Sequence, residues 1–146
     1  MQSVLSEWTG RALGGNAMTP ELMYLVWSAA LTFVLVLISV LGATSEVGLP
    51  RLAGNREGLP EMTGWAGRAA RAHRNMLESL VLFAVLVLVA QIAGVRNGYT
   101  LLGAQLFFWG RVAHAIVYIA GIPWLRTAAW GVSVVGLVLI FLQLVS

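Results

Sequence analysis

The sequence contains no cysteine, no lysine and no aspartate, and only 10% of its 146 residues are charged. Without cysteine the chain has no disulfide, no thiolate ligand for a metal and no cysteine nucleophile, so any sulfur chemistry needs a thiol from a bound molecule. Glutamate is the only acidic residue type. The two histidines lack the spacing of metal ligands, so we predict no metal site.

Apolar residues, by contrast, are abundant. They make up 59% of the chain, and the mean hydropathy is +0.84, well outside the range of soluble domains. The isoelectric point of 10.2 comes from nine arginines against six glutamates. In so apolar a chain we interpret these arginines as loop charges that set topology and build a site, and not as a nucleic-acid surface. The predicted fold class is an all-α, integral membrane protein.

Uncharged stretches predict four transmembrane helices in a single domain that covers 1–146. The predicted spans are about 22–43, 63–94, 99–121 and 123–145. Pro123 is a typical helix start, because the N–H that proline lacks would have had no partner there. Short turns are predicted around 96–98 and 121–123, and the glycine- and proline-containing stretch 44–62 is predicted to be an irregular loop.

The arginines also predict an orientation. Those of the first connection, the head of the second span and the last turn lie on one side: Arg51, Arg56, Arg68, Arg71, Arg74 and Arg126. Only Arg11 and Arg96 lie on the other side. The positive-inside rule therefore predicts that both termini are outside the cytoplasm. Residues 1–20 lack a basic segment followed by an apolar one, so we predict no signal peptide.

One polar face precedes the apolar part of the second span. At 100° per residue, Arg71, Arg74, Asn75 and Glu78 lie within an arc of about 100° on a helix. Ionisable groups near membrane depth are costly and usually face a bundle interior or a polar cavity. Two guanidinium groups, an amide and a carboxylate suit a zwitterionic ligand that carries carboxylates and an ammonium group. We interpret this face as a binding site.

A second polar face lies on the third span, where Arg111, His114 and Tyr118 fall within about 60° of each other. Each could have a structural role instead: Arg111 could reach the interface or pair with Glu78, His114 could bond a backbone carbonyl, and Tyr118 could anchor at the interface. The three together favour a lined cavity. His73 lies off the first face, which favours a structural role for it.

The segments 71–78 (RAHRNMLE) and 110–127, with Gly110-Arg111-Val112-Ala113-His114, Tyr118 and Arg126-Thr127, resemble the MAPEG superfamily (membrane-associated proteins in eicosanoid and glutathione metabolism). Within it, the motifs are most similar to those of microsomal prostaglandin E synthases and glutathione transferases. The loop 48–56 looks like that of bacterial members, which implies a bacterial inner membrane.

The resemblance implies a homotrimer of four-helix subunits that binds glutathione between neighbours. Glutathione would be held by the two polar faces and one loop arginine: Arg51, Arg71, Arg74, Asn75, Glu78, Arg111, His114 and Tyr118. Arg126 and Thr127 would stabilise its thiolate, since Arg126 lies in the first turn of a helix, where an anion is favoured. The implied activity is that of a transferase or peroxidase acting on lipophilic electrophiles from the lipid.

Two alternatives remain. Since some members of the superfamily have no demonstrated catalysis, the chain could be a non-catalytic trimer of the same fold that binds a lipid or another ligand. A small four-helix drug exporter is a further class. It would be expected to carry an essential carboxylate inside its first helix, and 22–43 contains none.

Overall fold

The computed structural model describes residues 18–146, which form five α-helices: α1 (Pro20–Val47), α2 (Leu49–Ala53), α3 (Gly64–Ala93), α4 (Gly98–Ala120) and α5 (Pro123–Val145). Four of these, α1, α3, α4 and α5, are long and apolar enough to cross a membrane. The expectation that no signal peptide is present concerns a segment of which 1–17 lies outside the described residues.

The first connection is more ordered than the irregular loop predicted over 44–62. α1 continues four residues past the predicted end, and α2 forms a short helix directly after Gly48, whose φ of 80° lets the chain turn there. The prediction failed because polar residues ended the apolar pattern at Thr44, while helical hydrogen bonding does not require apolar residues. Glu46 also accepts a hydrogen bond from the backbone N–H of Thr63, which ties the end of α1 to the start of α3.

Small residues allow close packing of the long helices. A Cβ on Gly103 would lie 2.7 Å from the carbonyl oxygen of Gly136, and a Cβ on Gly110 would lie 2.9 Å from the backbone nitrogen of Ser133. α4 and α5 therefore pack backbone to backbone, as small residues permit in membrane bundles. Stacked rings of Phe83 and Phe107, with centroids 4.0 Å apart, join α3 to α4.

The end of the bundle where α3 turns into α4 carries a polar cluster. Asn97 caps α4 through a capping box with Thr100, and its side-chain amide donates to Gln143 of α5. Thr100 is fully buried, and its hydroxyl lies 2.7 Å from a carboxylate oxygen of buried Glu21. These contacts link α1, α4 and α5 at the end of the bundle that carries few arginines.

Candidate functional site

A cavity of about 300 Å³ opens between α3, α4 and α5 near the arginine-rich end of the bundle. Its walls are formed by one residue of α3, two of α4 and three of α5: Asn75, His114, Tyr118, Arg126, Thr127 and Trp130. The first five are residues that the sequence had singled out from three separate segments. The antiparallel course of the helices brings the end of α4 beside the starts of α3 and α5, so these segments meet in space.

Aromatic contacts hold the cationic side of this cavity in place. The guanidinium carbon of Arg126 lies 4.6 Å from the ring centroid of Tyr118, which is a cation–π distance. The ring of Tyr118 also meets His114 edge to face at 5.3 Å. The imidazole is buried, whereas Arg126 and Tyr118 are partly exposed. Arg126 therefore packs its guanidinium group against the Tyr118 ring and brings a positive charge to the wall of the cavity.

The first turn of α5 presents Arg126 and Thr127. Gly121 ends α4 in the left-handed region, with φ 84°, and Pro123 then begins α5. The backbone N–H of Arg126 donates to the carbonyl of Ile122, which sets the first helical turn. The Thr127 hydroxyl donates to the carbonyl of Pro123 at 3.3 Å, so contact with a sulfur atom would require it to rotate.

Arg111 lies deeper and is only 1% exposed. One of its terminal nitrogens donates to the backbone carbonyl of Asn75 at 2.6 Å, to the amide oxygen of Asn75 at 3.0 Å and to the hydroxyl of Ser79. Its hydrogen bonds thus hold α3 against α4, whereas the sequence had offered Glu78 as a structural partner. Nε and the other terminal nitrogen of Arg111 have no hydrogen-bond partner among residues 18–146. A buried donor without a partner is costly, so this site favours an additional acceptor.

The remaining arginines of the first polar face surround two neighbouring cavities. Arg71 and Arg74 line one of about 320 Å³ together with Glu61 and the backbone region around Gly67. A smaller cavity of about 140 Å³ lies between this one and the first, because it shares Arg71 with the former and Tyr118 and Arg126 with the latter. Each of the three neighbouring cavities at this end of the protein is therefore lined by at least one arginine.

Besides the buried Arg111, two predicted site residues do not line these cavities. Arg51 is an exposed residue of α2, and Glu78 is exposed on α3. Neither lines the three cavities described above. Both residues were assigned to the site from the family resemblance, which implies that glutathione binds between neighbouring subunits. A residue that is exposed on a single subunit is therefore compatible with this assignment.

Sequence reasoning missed three residues of this region. Trp130 lines the first cavity and follows Arg126 by one helical turn, a spacing that would have predicted it. Ser79 bonds Arg111 and follows Asn75 by the same spacing. Arg68, three residues before Arg71, lines the small cavity. Within 18–146, no group of three or more histidine, cysteine or acidic residues lies close enough to hold a metal ion.

A family model described as "MAPEG family" matches residues 22–146, which cover α2 to α5, all of α1 except its first two residues, and every site residue named above. No curated protein matches the chain, and no solved structure does.

Proposed function

This chain belongs to the MAPEG family, and we propose that it is a glutathione-dependent membrane transferase or peroxidase that acts on lipophilic electrophiles. The observation that carries the proposal is the cavity in which Asn75, His114, Tyr118, Arg126 and Thr127 meet. These side chains offer hydrogen bonds and a positive charge at a place that apolar helices surround. Family membership is consistent with a glutathione-related role, and the chemistry of the cavity supports the same ligand.

The ligand fits the charges on the protein. Glutathione has two carboxylates, an ammonium group and a thiol. Arginine binds carboxylates through its planar fork, so Arg71 and Arg74 would take the carboxylates, and Glu78 would take the ammonium group. Arg111, with two buried nitrogens that lack partners in 18–146, would donate to a further oxygen of the ligand or to a water molecule bound with it. Arg51 would contribute from α2 of a neighbouring subunit.

Arg126 would then act on the sulfur. A thiol with a pKa of about 8.5 is only a few per cent ionised at neutral pH, so a cation beside it raises the fraction of nucleophilic thiolate. With an aryl chloride, the thiolate sulfur bonds to the ring carbon and chloride leaves with the electron pair. With a hydroperoxide, the thiolate sulfur attacks the terminal oxygen and the O–O bond breaks. The products are a sulfenic acid and an alkoxide, and the alkoxide is protonated to the alcohol. A second glutathione then converts the sulfenic acid to disulfide and water.

We further propose that the functional unit is a homotrimer. Helix faces outside the bundle are strongly apolar; Ile92 and Trp124 are 86% and 88% exposed, for instance. Lipid can cover such faces. It cannot supply charged or hydrogen-bonding partners for exposed ionisable residues within a membrane-spanning helix, such as Arg74 and Glu78 of α3. A subunit interface would supply partners for them and close the cavity. A monodisperse monomer in mild detergent that binds glutathione with full affinity would contradict this.

The chain would be a multi-pass protein with both termini on the non-cytoplasmic side, in a bacterial inner membrane. Four apolar helices support the membrane location, and the arginine-rich end supports this orientation by the positive-inside rule. Since Arg126, Arg71 and Arg74 lie at that end, glutathione would enter from the cytoplasm and the electrophile from the lipid.

Titration of the purified protein with glutathione, followed at the thiolate absorbance, tests the proposal directly. The expected result is saturable thiolate formation near neutral pH, with loss of the signal in Arg126→Gln. The matched control is Arg96→Gln, because Arg96 is exposed at the opposite end of the bundle. Absence of glutathione binding to the unaltered protein would refute the proposal.

One observation favours a second candidate, a non-catalytic trimer that binds a lipid or another ligand. The Thr127 hydroxyl, although Thr127 lines the cavity, donates its hydrogen within α5 to the carbonyl of Pro123, so this donor is not free for a sulfur atom. A binding protein would bind glutathione or an amphiphile yet show neither thiolate formation nor turnover of an aryl halide. The same titration therefore separates the two functions.

A further inference from the structure

Arg68, which the proposed glutathione site does not include, bridges two helices at the arginine-rich end. Its Nε donates a hydrogen bond to the carbonyl of Ile119, 2.8 Å away and 51 residues later in the chain. The side chain is half-buried. Arg68 thus joins the first part of α3 to the last turn of α4.

The accepting carbonyl is one that the helix itself cannot satisfy. Carbonyls in the last turn of a helix lack intrahelical partners, and the residue four positions after Ile119 is Pro123, which has no N–H. The N–H groups of Gly121 and Ile122 are directed to Val117 and Tyr118 instead. Arg68 therefore supplies the donor that the sequence removes from this position. Its positive charge also lies at the C-terminal, partly negative end of α4.

The turn after α4 is built around the same side chain. A Cβ on Gly121 would lie 3.3 Å from Nε and 3.4 Å from the guanidinium carbon of Arg68. Gly121 also has φ +84°, where other residues are strained. The absence of a side chain thus serves both the backbone conformation and the close approach of Arg68.

This turn determines where Arg126 lies. Only Gly121 and Ile122 separate α4, which carries Tyr118, from α5, which carries Arg126 in its first turn. Arg68 and Arg126 both line the small cavity that Tyr118, Gly121 and Pro123 also border. A displacement of the turn would therefore change the 4.6 Å contact between Arg126 and the Tyr118 ring.

We propose that Arg68 is a positioning residue that holds the α4–α5 turn through the Ile119 carbonyl and thereby keeps Arg126 over Tyr118, beside the thiolate. This rests on the proposed glutathione function. Loss of Arg68 should leave binding of the glutathione carboxylates nearly unchanged, because other arginines make those contacts. It should lower thiolate formation, because Arg126 then loses its fixed position.

The geometric part can be tested without glutathione. Since the chain has no cysteine, a single pair of cysteines at Ile116 and Leu125, both exposed, can be spin-labelled for distance measurement by pulsed electron paramagnetic resonance. The expected result is a narrow intrasubunit distance peak that broadens or shifts in Arg68→Met and stays narrow in Arg68→Lys, which keeps a charged donor. An unchanged distribution in Arg68→Met would overturn the proposal.

Arg56→Met is the matched control. Arg56 also donates from Nε to a backbone carbonyl at 2.8 Å, that of Leu52, near the same end of the protein, but it is exposed and lies outside the α4–α5 turn. Its loss should leave the distance distribution unchanged. Broadening in both variants would indicate a general loosening of the fold and would overturn the specific role of Arg68.

The functional part uses thiolate absorbance and turnover of an aryl halide. Arg68→Met should lower kcat by about 10-fold, the effect of one pKa unit on the thiol, with the Kd for S-hexyl glutathione changed less than about 3-fold. Arg68→Lys should restore most of the rate.

Equal thiolate formation in the parent and Arg68→Met would refute this inference alone, whereas a parent protein without glutathione binding would refute the proposed function. If Arg68→Met fails to fold, a tenfold loss in Arg68→Ala with rescue by Arg68→Lys is the required result, and no rescue counts against the proposal.

Discussion

Replacing Arg126 by glutamine removes the positive charge beside the proposed thiolate while keeping a polar side chain with a planar, hydrogen-bonding end group. A unit charge about 4 Å from a thiolate contributes roughly 4 kcal/mol at an effective dielectric constant of about 20. Arg126 is only half-buried, so solvent screens part of this interaction, and we expect about 1.4–2.7 kcal/mol to remain. That equals one to two pKa units on the thiol.

The direction of the effect follows from the sign of the charge. A cation favours the thiolate and lowers the thiol pKa, so Arg126→Gln should raise it. Below both pKa values, conjugation to an aryl halide should then fall by about 10- to 100-fold. At higher pH, where glutathione is ionised in both proteins, the two rates should converge. A pH–rate profile of the parent, Arg126→Gln and the control Arg96→Gln measures this.

S-hexyl glutathione provides the binding control, because it has no ionisable thiol. Its Kd should change less than about 3-fold in Arg126→Gln, against at least about 10-fold for the rate. Equal losses of affinity and rate would assign Arg126 to binding and refute the reasoning. No loss of either would mean that Arg126 serves only as a cytoplasmic anchor at the membrane interface.

Three further predictions concern recognition and packing. Glu78→Gln should weaken glutathione binding by about 2–5 kcal/mol, measured by calorimetry, because it removes one charge of a pair that the proposed trimer interface would bury. Glu57→Gln should not weaken binding; the reverse result would show that another carboxylate binds the ammonium group. Gly110→Ala should lower the thermal midpoint, because its Cβ would press on the backbone of α5, whereas Gly131→Ala, with open space around it, should leave the midpoint equal or raise it. Thr100→Val should cost about 1–3 kcal/mol of unfolding free energy, since it removes the hydroxyl beside the buried carboxylate of α1; an unchanged unfolding curve in neutral detergent would contradict this.

Local sequence was sufficient for the long helices because hydrophobic length and helix-breaking residues act within one segment. The predicted span 123–145 coincides with α5, and the predicted 63–94 and 99–121 differ from α3 and α4 by one residue at each end. The 44–62 connection was predicted less well. There the chain is polar, so the apolar pattern carries no information about whether the backbone remains helical.

The candidate site was only partly predictable. Helical spacing placed His114 beside Tyr118 and grouped Asn75 with its neighbours, because residues three or four apart share a face. The same spacing could not show that Arg111 bonds Asn75 and Ser79 across two helices. Nor could helical spacing show which carbonyl Arg68 reaches, because that depends on the relative axial position of α3 and α4.

Composition and the order of residues along the chain were enough to predict a four-helix membrane protein with most of its arginines at one end. The partners that these arginines contact follow from the packing of the helices. Packing at Gly103, Gly110 and Gly136 sets the separation of α4 and α5, and the turn at Gly121 places Arg126 over Tyr118. Such contacts depend on distances of a few ångströms between segments far apart in sequence, which no local pattern encodes.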